Sequence, residues 1–129
     1  MNADKNKSSK PNRRRDGYHY EDIAERYYKK LGYETLERNY QAGHREIDLI
    51  VHNATTLIFV EVKGGRSEFM GHPSYRVDER KQRFLIEAAQ EYLGGHDVDG
   101  LDLSFDVLTV TRDSSGERIE RYENAFSAE

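Results

Sequence analysis

The sequence predicts an α/β domain: a mixed β-sheet with helices packed on it, in the order α-β-β-β-α-β-β. Two segments place apolar residues at helical spacing, Ala24, Tyr27, Tyr28 and Leu31 in the first and Phe84, Leu85, Ala88 and Tyr92 in the second. Several runs rich in β-branched and aromatic residues lie between and after them. Glycine-bearing or polar segments separate the runs, as turns require.

Taken in order, the folded part begins near Gly17, and residues 20–31 form the first helix, stopped at Gly32. Tyr33–Tyr40 is a first strand. Glu46–His52 and Leu57–Lys63 are two more, joined by the polar segment Asn53-Ala54-Thr55-Thr56. A loop spans roughly Gly64–Ser74, with Gly64, Gly65, Gly71 and Pro73. Val77, Phe84, Leu85, Ala88 and Tyr92 mark the second, longer helix, which closes at Gly94-Gly95. Leu103–Thr111 is a strand, Asp113–Gly116 a turn, and Arg118–Tyr122 a last strand.

At 129 residues the chain is a single domain over 17–129, preceded by an arm at 1–16. The absence of cysteine excludes disulfides, zinc–thiolate sites, iron–sulfur clusters and cysteine nucleophiles. No secretory signal pattern and no membrane-length apolar run is present, so a cytoplasmic protein without membrane contact is expected. Asn53-Ala54-Thr55 fits a glycosylation acceptor but reads as a turn. Residues 1–15 carry a net +5 within a chain total of −4, which leaves the remaining body at −9. Such a basic arm is expected to be disordered and able to grip phosphates, or simply to be a solvated tail. An acidic body suits a site that recruits a metal ion before a phosphate.

The chemistry concentrates in the hairpin. With residues 53–56 as the connection, His52 faces Leu57, Ile50 faces Phe59, Asp48 faces Glu61 and Glu46 faces Lys63. Side chains alternate with period two, so Asp48, Glu61 and Lys63 share a face. Directly opposed residues have Cβ atoms about 4.5–5.5 Å apart, where two carboxylates repel unless a cation lies between them. Magnesium is the natural candidate, with manganese as its substitute, because it prefers oxygen ligands and tolerates one or two carboxylates plus waters. Ile47, Leu49, Val51, Ile58, Val60 and Val62 make the other face apolar, and Ile50 and Phe59 extend this to the acidic face. The strands are therefore central and covered on both sides. Charges there are costly unless paired or metal-bound.

Glu21 and Lys81 occupy positions in the buried stripes of the two helices and fit a polar site between helices and sheet. Each has a plainer explanation: Glu21 also favours the helix dipole, and Lys81 could snorkel from a stripe edge. Glu61 and Lys63 could be a simple surface ion pair. Glu46 is either a ligand or merely the neighbour of Lys63. The five histidines lack ligand spacing, with His72 alone expected near the site. Tyr27, Tyr28, Tyr33 and Tyr92 read as core, whereas Tyr18, Tyr20, Phe69 and Tyr75 are possible exposed contacts.

Arg38-Asn39, Glu46-Ile47-Asp48-Leu49-Ile50, Phe59-Val60-Glu61-Val62-Lys63 and Phe105-Asp106-Val107 resemble the hallmark segments of the YraN-like bacterial protein family. Glu21, Ala24, Tyr27, Gly32-Tyr33, Lys81, Ala88-Ala89, Tyr92-Leu93 and Asn124-Ala125-Phe126 match the same pattern, over roughly residues 20–126. That family looks like a compact member of the restriction-endonuclease-like, PD-(D/E)xK superfamily, similar in layout to archaeal Holliday-junction resolvases. The resemblance implies metal ligation by Asp48 and Glu61, Lys63 as catalytic lysine and Glu21 as accessory acid. Arg45 stands where the family has glycine, Tyr20 replaces the glycine expected before Glu21, and Gly64-Gly65 delays the basic residue after the lysine to Arg66.

The leading expectation is thus a magnesium-dependent, endonuclease-like hydrolase acting on nucleic acid, DNA ahead of RNA. Its expected nucleic-acid contacts are Arg66, Lys81, Arg38 and, in the arm, Arg13, Arg14 and Arg15. A homodimer would suit action on two strands, with Arg118–Tyr122 as a possible joining edge. The alternatives are a nuclease-like module that binds nucleic acid without cutting it, and an interaction protein whose charged groups are an ordinary buried network.

Overall fold

A computed structural model describes residues 19–67 and 76–128. The basic arm with Arg13, Arg14 and Arg15, together with Tyr18, Phe69, His72, Tyr75 and most of the expected 64–74 loop, lies outside the described residues.

Helix α1 (Tyr20–Lys30) carries Glu21 and Asp22 in its first turn and Lys29 and Lys30 in its last, complementing the helix dipole at both ends. It stops because Gly32 takes φ 96°, letting the Gly32 and Tyr33 N–H groups donate to the Lys29 and Tyr28 carbonyls at 3.0 Å each. Leu31, expected in the core, is 49% exposed, because it is the capping residue and the chain is already turning away there. Tyr20, expected as an exposed contact, is fully buried instead.

Five strands follow in the sheet order β1-β2-β3-β4-β5: β1 (Glu34–Ala42), β2 (Arg45–His52), β3 (Thr56–Arg66), β4 (Asp102–Asp113) and β5 (Gly116–Phe126). All neighbours are antiparallel except β3 and β4, whose parallel pairing is bridged by helix α2 (Glu79–Gly94). The predicted element order and mixed sheet are therefore present. Helix α1 packs on Leu49, Val51, Ile58, Val60, Val62, Leu108 and Val110. Helix α2 covers the opposite face, over Ile50, Leu57, Phe59 and Phe105. The hairpin strands are apolar on both sides because both sides are covered. Phe84 is the exception on α2; it is 37% exposed, with the Arg45 and Arg80 guanidinium groups each 5.4 Å from its ring centre. No helix among the described residues is long and apolar enough to cross a membrane.

Two strands run further than expected. Gly64 and Gly65 continue β3, in register with Val110 and Thr111, so the loop cannot begin at Gly64. β5 extends well beyond Arg118–Tyr122 at both ends, closing on the pair Phe105 and Phe126. Gly64 is required where it is: a Cβ there would lie 2.2 Å from the Tyr20 ring. Gly64→Ala is expected to cost about 1–3 kcal/mol, as overpacking against a buried ring does. Urea denaturation checks this, and a neutral result would mean that α1 shifts without cost.

The pairing of β1 with β2 shifts register between Thr35 and Glu37, and the faces of the two strands change further on, around Asn39. Arg38 pairs with Leu49 and reaches α1, with its guanidinium 2.7 Å from Asp22 and 3.4 Å from Glu25. Tyr40, two residues on, pairs with Ile47 and stacks edge-on against Tyr92 of α2. Asn39 between them adopts φ 52°, the left-handed conformation that reverses which face the next side chain takes. Ile47 accordingly packs beneath α2 with Ile50, not with Leu49 and Val51 as simple alternation requires. Asp48 is the residue left at the changeover.

Candidate functional site

The hairpin turn is fixed by Asn53, whose Oδ1 accepts the Thr55 and Thr56 N–H groups at 2.9 Å each. From it the predicted register runs His52–Leu57, Val51–Ile58, Ile50–Phe59 and Leu49–Val60. There the ladder ends. The expected Asp48–Glu61 and Glu46–Lys63 pairs are not part of it. Because Asp48 sits at the changeover, its side chain turns into the gap and its Oδ2 accepts the Val62 N–H at 2.8 Å. A carboxylate thus takes the place of a ladder carbonyl, between Glu61 and Lys63 along β3. Asp48 and Glu61 are both nearly inaccessible, at 4% and 5%.

Helix α2 supplies one cation, Lys81. Asp78 caps it, accepting the Lys81 N–H at 2.8 Å, which fixes the first turn. Lys81 Nζ then lies 3.8 Å from Glu61 Oε2, which brings it beside that carboxylate. The Lys63 amino group donates to the backbone carbonyl of Arg76, just ahead of α2.

The remaining expected residues divide. Glu21 is buried, but on α1 and so on the opposite face of the sheet from Lys81; the two do not converge from one side. Its neighbour Tyr20 lies over Gly64, so Glu21's turn stands at the end of β3 that carries Lys63. Arg38 is engaged by Asp22 and Glu25, and Glu46 is half-buried opposite Gln41 of β1. Arg66 is exposed at the end of β3, in register with Arg112. Among the described residues no three His, Asp or Glu side chains converge into a metal-holding cluster. Two buried carboxylates are hard oxygen donors that fit a hydrated magnesium ion, which keeps most of its waters, but not an all-protein cage.

Sequence reasoning gave no role to Asp106, whose carboxylate accepts four hydrogen bonds. It is fully buried on the α1 face. Oδ2 accepts from the Tyr28 hydroxyl and Arg121 Nε, both at 2.8 Å; Oδ1 accepts from the Ser104 hydroxyl at 2.7 Å and the Asn124 N–H at 3.0 Å. The Arg121 guanidinium also covers the Tyr28 ring at 5.2 Å. The signal was present: an acid flanked directly by apolar residues, Phe105 and Val107, as Asp48 is by Ile47 and Leu49.

Burial, reinforced by the Asp106 charge and its hydrogen bond, raises the Tyr28 hydroxyl far above the usual phenol range. A group raised in the folded state stabilises fully below its unfolded value, about 10, and that contribution is lost as pH rises above it. Tyr28→Phe is expected to be about 1–3 kcal/mol less stable at neutral pH. Its melting temperature should also fall less steeply than that of the wild type above pH ~10. Identical alkaline slopes would show that Tyr28 is not the group responsible.

Comparison with known proteins places these features in a family. The model of the uncharacterised protein family UPF0102 matches residues 20–110. A UPF0102 protein of Desulfosudis oleivorans is 42% identical over 117 residues, covering 90% of this chain and 93% of its own. One from Chloroherpeton thalassium is 42% identical over 95 residues, 74% of each chain, and one from a Sulfurihydrogenibium species 34% over 113, 88% of this chain and 95% of its own. The resemblance to YraN-like proteins is borne out at this level: the chain belongs to the uncharacterised protein family UPF0102.

Proposed function

We propose that this protein is a metal-dependent nuclease-type hydrolase whose Asp48, Glu61 and Lys63 act on a phosphodiester of nucleic acid, DNA ahead of RNA. The observation that carries this is the opening of the β2–β3 ladder around two buried carboxylates, with Lys63 and Lys81 beside them. A sheet does not bury two acids at a broken ladder for stability alone, since each is costly without a compensating cation. The likeness of the Asp48, Glu61 and Lys63 pattern to PD-(D/E)xK sites supports the same reading.

Asp48 and Glu61 would hold the ion, with the Val62 carbonyl beside them. Bound magnesium or manganese would supply Lewis-acid polarisation of the phosphoryl group. Lys63 would orient the attacking water or oppose the charge that develops on the phosphoryl oxygens; its compact ammonium suits either task. Water adds to phosphorus, the bond to the leaving oxygen breaks, and that oxygen takes up a proton. Glu21, at the same end of β3, would serve as the accessory acid. Action on two strands would favour a two-fold pair of subunits.

A second reading has its own observation. Lys81 already neutralises part of the Glu61 charge, as a module that binds nucleic acid without cutting it could afford. Thermal melting during magnesium and manganese titration of wild type and Asp48→Asn separates the two. Saturable stabilisation is expected in the wild type, about 2.7 kcal/mol at one hundred times Kd, and none in the variant. No shift in either protein, with no cleavage of single-stranded, duplex or branched DNA, would favour the binding module. Its affinity should then fall steeply with salt and on removal of residues 1–15.

A further inference from the structure

Beside the candidate site a cleft of about 480 Å³ opens between the lead-in to α2 and the end of β5, lined by Arg76, Val77, Asp78, Gln82, Ala125 and Phe126. It is tied to the site at one atom, since the carbonyl that receives the Lys63 amino group is that of Arg76. It also shares the site's face. Phe126 stacks on Phe105 at 4.8 Å, and Phe105 stacks on Phe59 at 5.3 Å, two residues before Glu61. The half-buried Phe126 ring thus ends a rigid aromatic row running from the site strand to the cleft wall.

The rim is pinned as well. Gln82 Nε2 donates to the Val77 carbonyl at 2.8 Å, and Asp78 caps the helix. The volume lies within the range of small-ligand clefts, roughly 300–1,000 Å³. A fixed aromatic wall, polar groups on the rim and an arginine form the combination that receives an unstacked base while its phosphate stays outside.

We infer that this cleft is a nucleobase subsite, in which a base next to the phosphate held at Lys63 leaves its stack and lies against Phe126. The inference rests on the phosphodiester reading of the site and adds that the substrate is unpaired or distorted at that nucleotide. A fully stacked duplex cannot deliver a base to a cleft without unpairing it, at a cost of a few kcal/mol that single strands, flaps and junctions largely escape.

The test is an amide NMR titration of the full-length, isotopically labelled chain with deoxyadenosine 5′-monophosphate and, separately, deoxyribose 5-phosphate. The nucleotide is expected to shift the Gln82, Ala125 and Phe126 amides saturably, and the base-free phosphate to leave them in place. Phe126→Ala should weaken nucleotide binding roughly tenfold or more. Because Phe126 also packs on Phe105, Ala125→Trp provides a second variant that fills the cleft while leaving that ring, and it should abolish the shifts. No shift at these amides, or equal shifts with both probes, overturns the subsite. Asp48→Asn keeps the two readings apart: it should retain the nucleotide shifts while losing cleavage. A wild type that cuts DNA without base-dependent shifts removes the subsite alone.

Discussion

Asp106→Asn will lower stability by about 3–5 kcal/mol, the cost of breaking a buried ion pair from one side. Asparagine keeps the shape, so no cavity forms, but its amide nitrogen must face either the Arg121 Nε–H or the Asn124 N–H, donor against donor. What it removes is the charge opposite Arg121, whose side chain is only 15% exposed. The remaining partner, Glu123 at 3.1 Å, is 70% exposed and screened by water. The Tyr28 hydroxyl, fully buried with its ring, loses a charged acceptor at the same time. For a domain of this size the melting temperature should drop roughly 10–20 °C. The double variant Asp106→Asn/Arg121→Met should recover part of the loss, because no charge is then stranded; a cycle coupling energy near zero would refute the pairing. A loss below about 1 kcal/mol would show that the network contributes little.

The location of this network matters to the site. β4 pairs with β3 from Thr56 through Arg66, including Glu61 with Val107 and Lys63 with Thr109. Beyond Val60 it is the neighbour that keeps β3 in a ladder, because β2 has left it. Asp106 ties β4 to β5 through Arg121 and the Asn124 N–H, and to α1 through Tyr28. An acid on the α1 face therefore secures β4, the neighbour on which Glu61 and Lys63 of β3 depend for their ladder. Its loss should disturb the site indirectly, through strand order rather than chemistry.

The parts of the molecule readable from sequence are those governed by local periodicity. Helical spacing located α1 and α2, and period-two alternation with a short turn gave the register from His52–Leu57 to Leu49–Val60. The same alternation failed at Asp48, because the β2–β3 ladder ends at Leu49–Val60 and period-two patterning does not mark where a ladder ends. Leu31 failed for a related reason: helical spacing does not say where a helix stops. Gly64-Gly65 looked like a loop because glycine usually marks one; here a glycine is needed under Tyr20. The burial of Asp48 and Glu61 was legible because charges in apolar surroundings stand out. Asp106 sent the same signal, and only its partners from α1 and β5, distant in sequence, reveal what it holds.

Lys63→Met should reduce phosphodiester cleavage by about 10²–10³ while leaving the fold and the metal-dependent rise in melting temperature in place. Methionine keeps the length and apolar body of the stem and removes only the ammonium, so packing against the end of α2 survives. The hydrogen bond to the Arg76 carbonyl is lost, but that carbonyl lies on an exposed residue and can turn to water. Asp48→Asn should behave differently, losing both cleavage and metal stabilisation, since it weakens the ligand itself. Its fold should largely hold, because an amide oxygen still accepts the Val62 N–H. The contrast between the variants is the decisive measurement. If Lys63→Met also abolishes metal stabilisation, the lysine acts by organising the carboxylates. If it cuts at the wild-type rate, Lys63 has no part in the reaction, and Lys81, 3.8 Å from Glu61, becomes the cation to remove next.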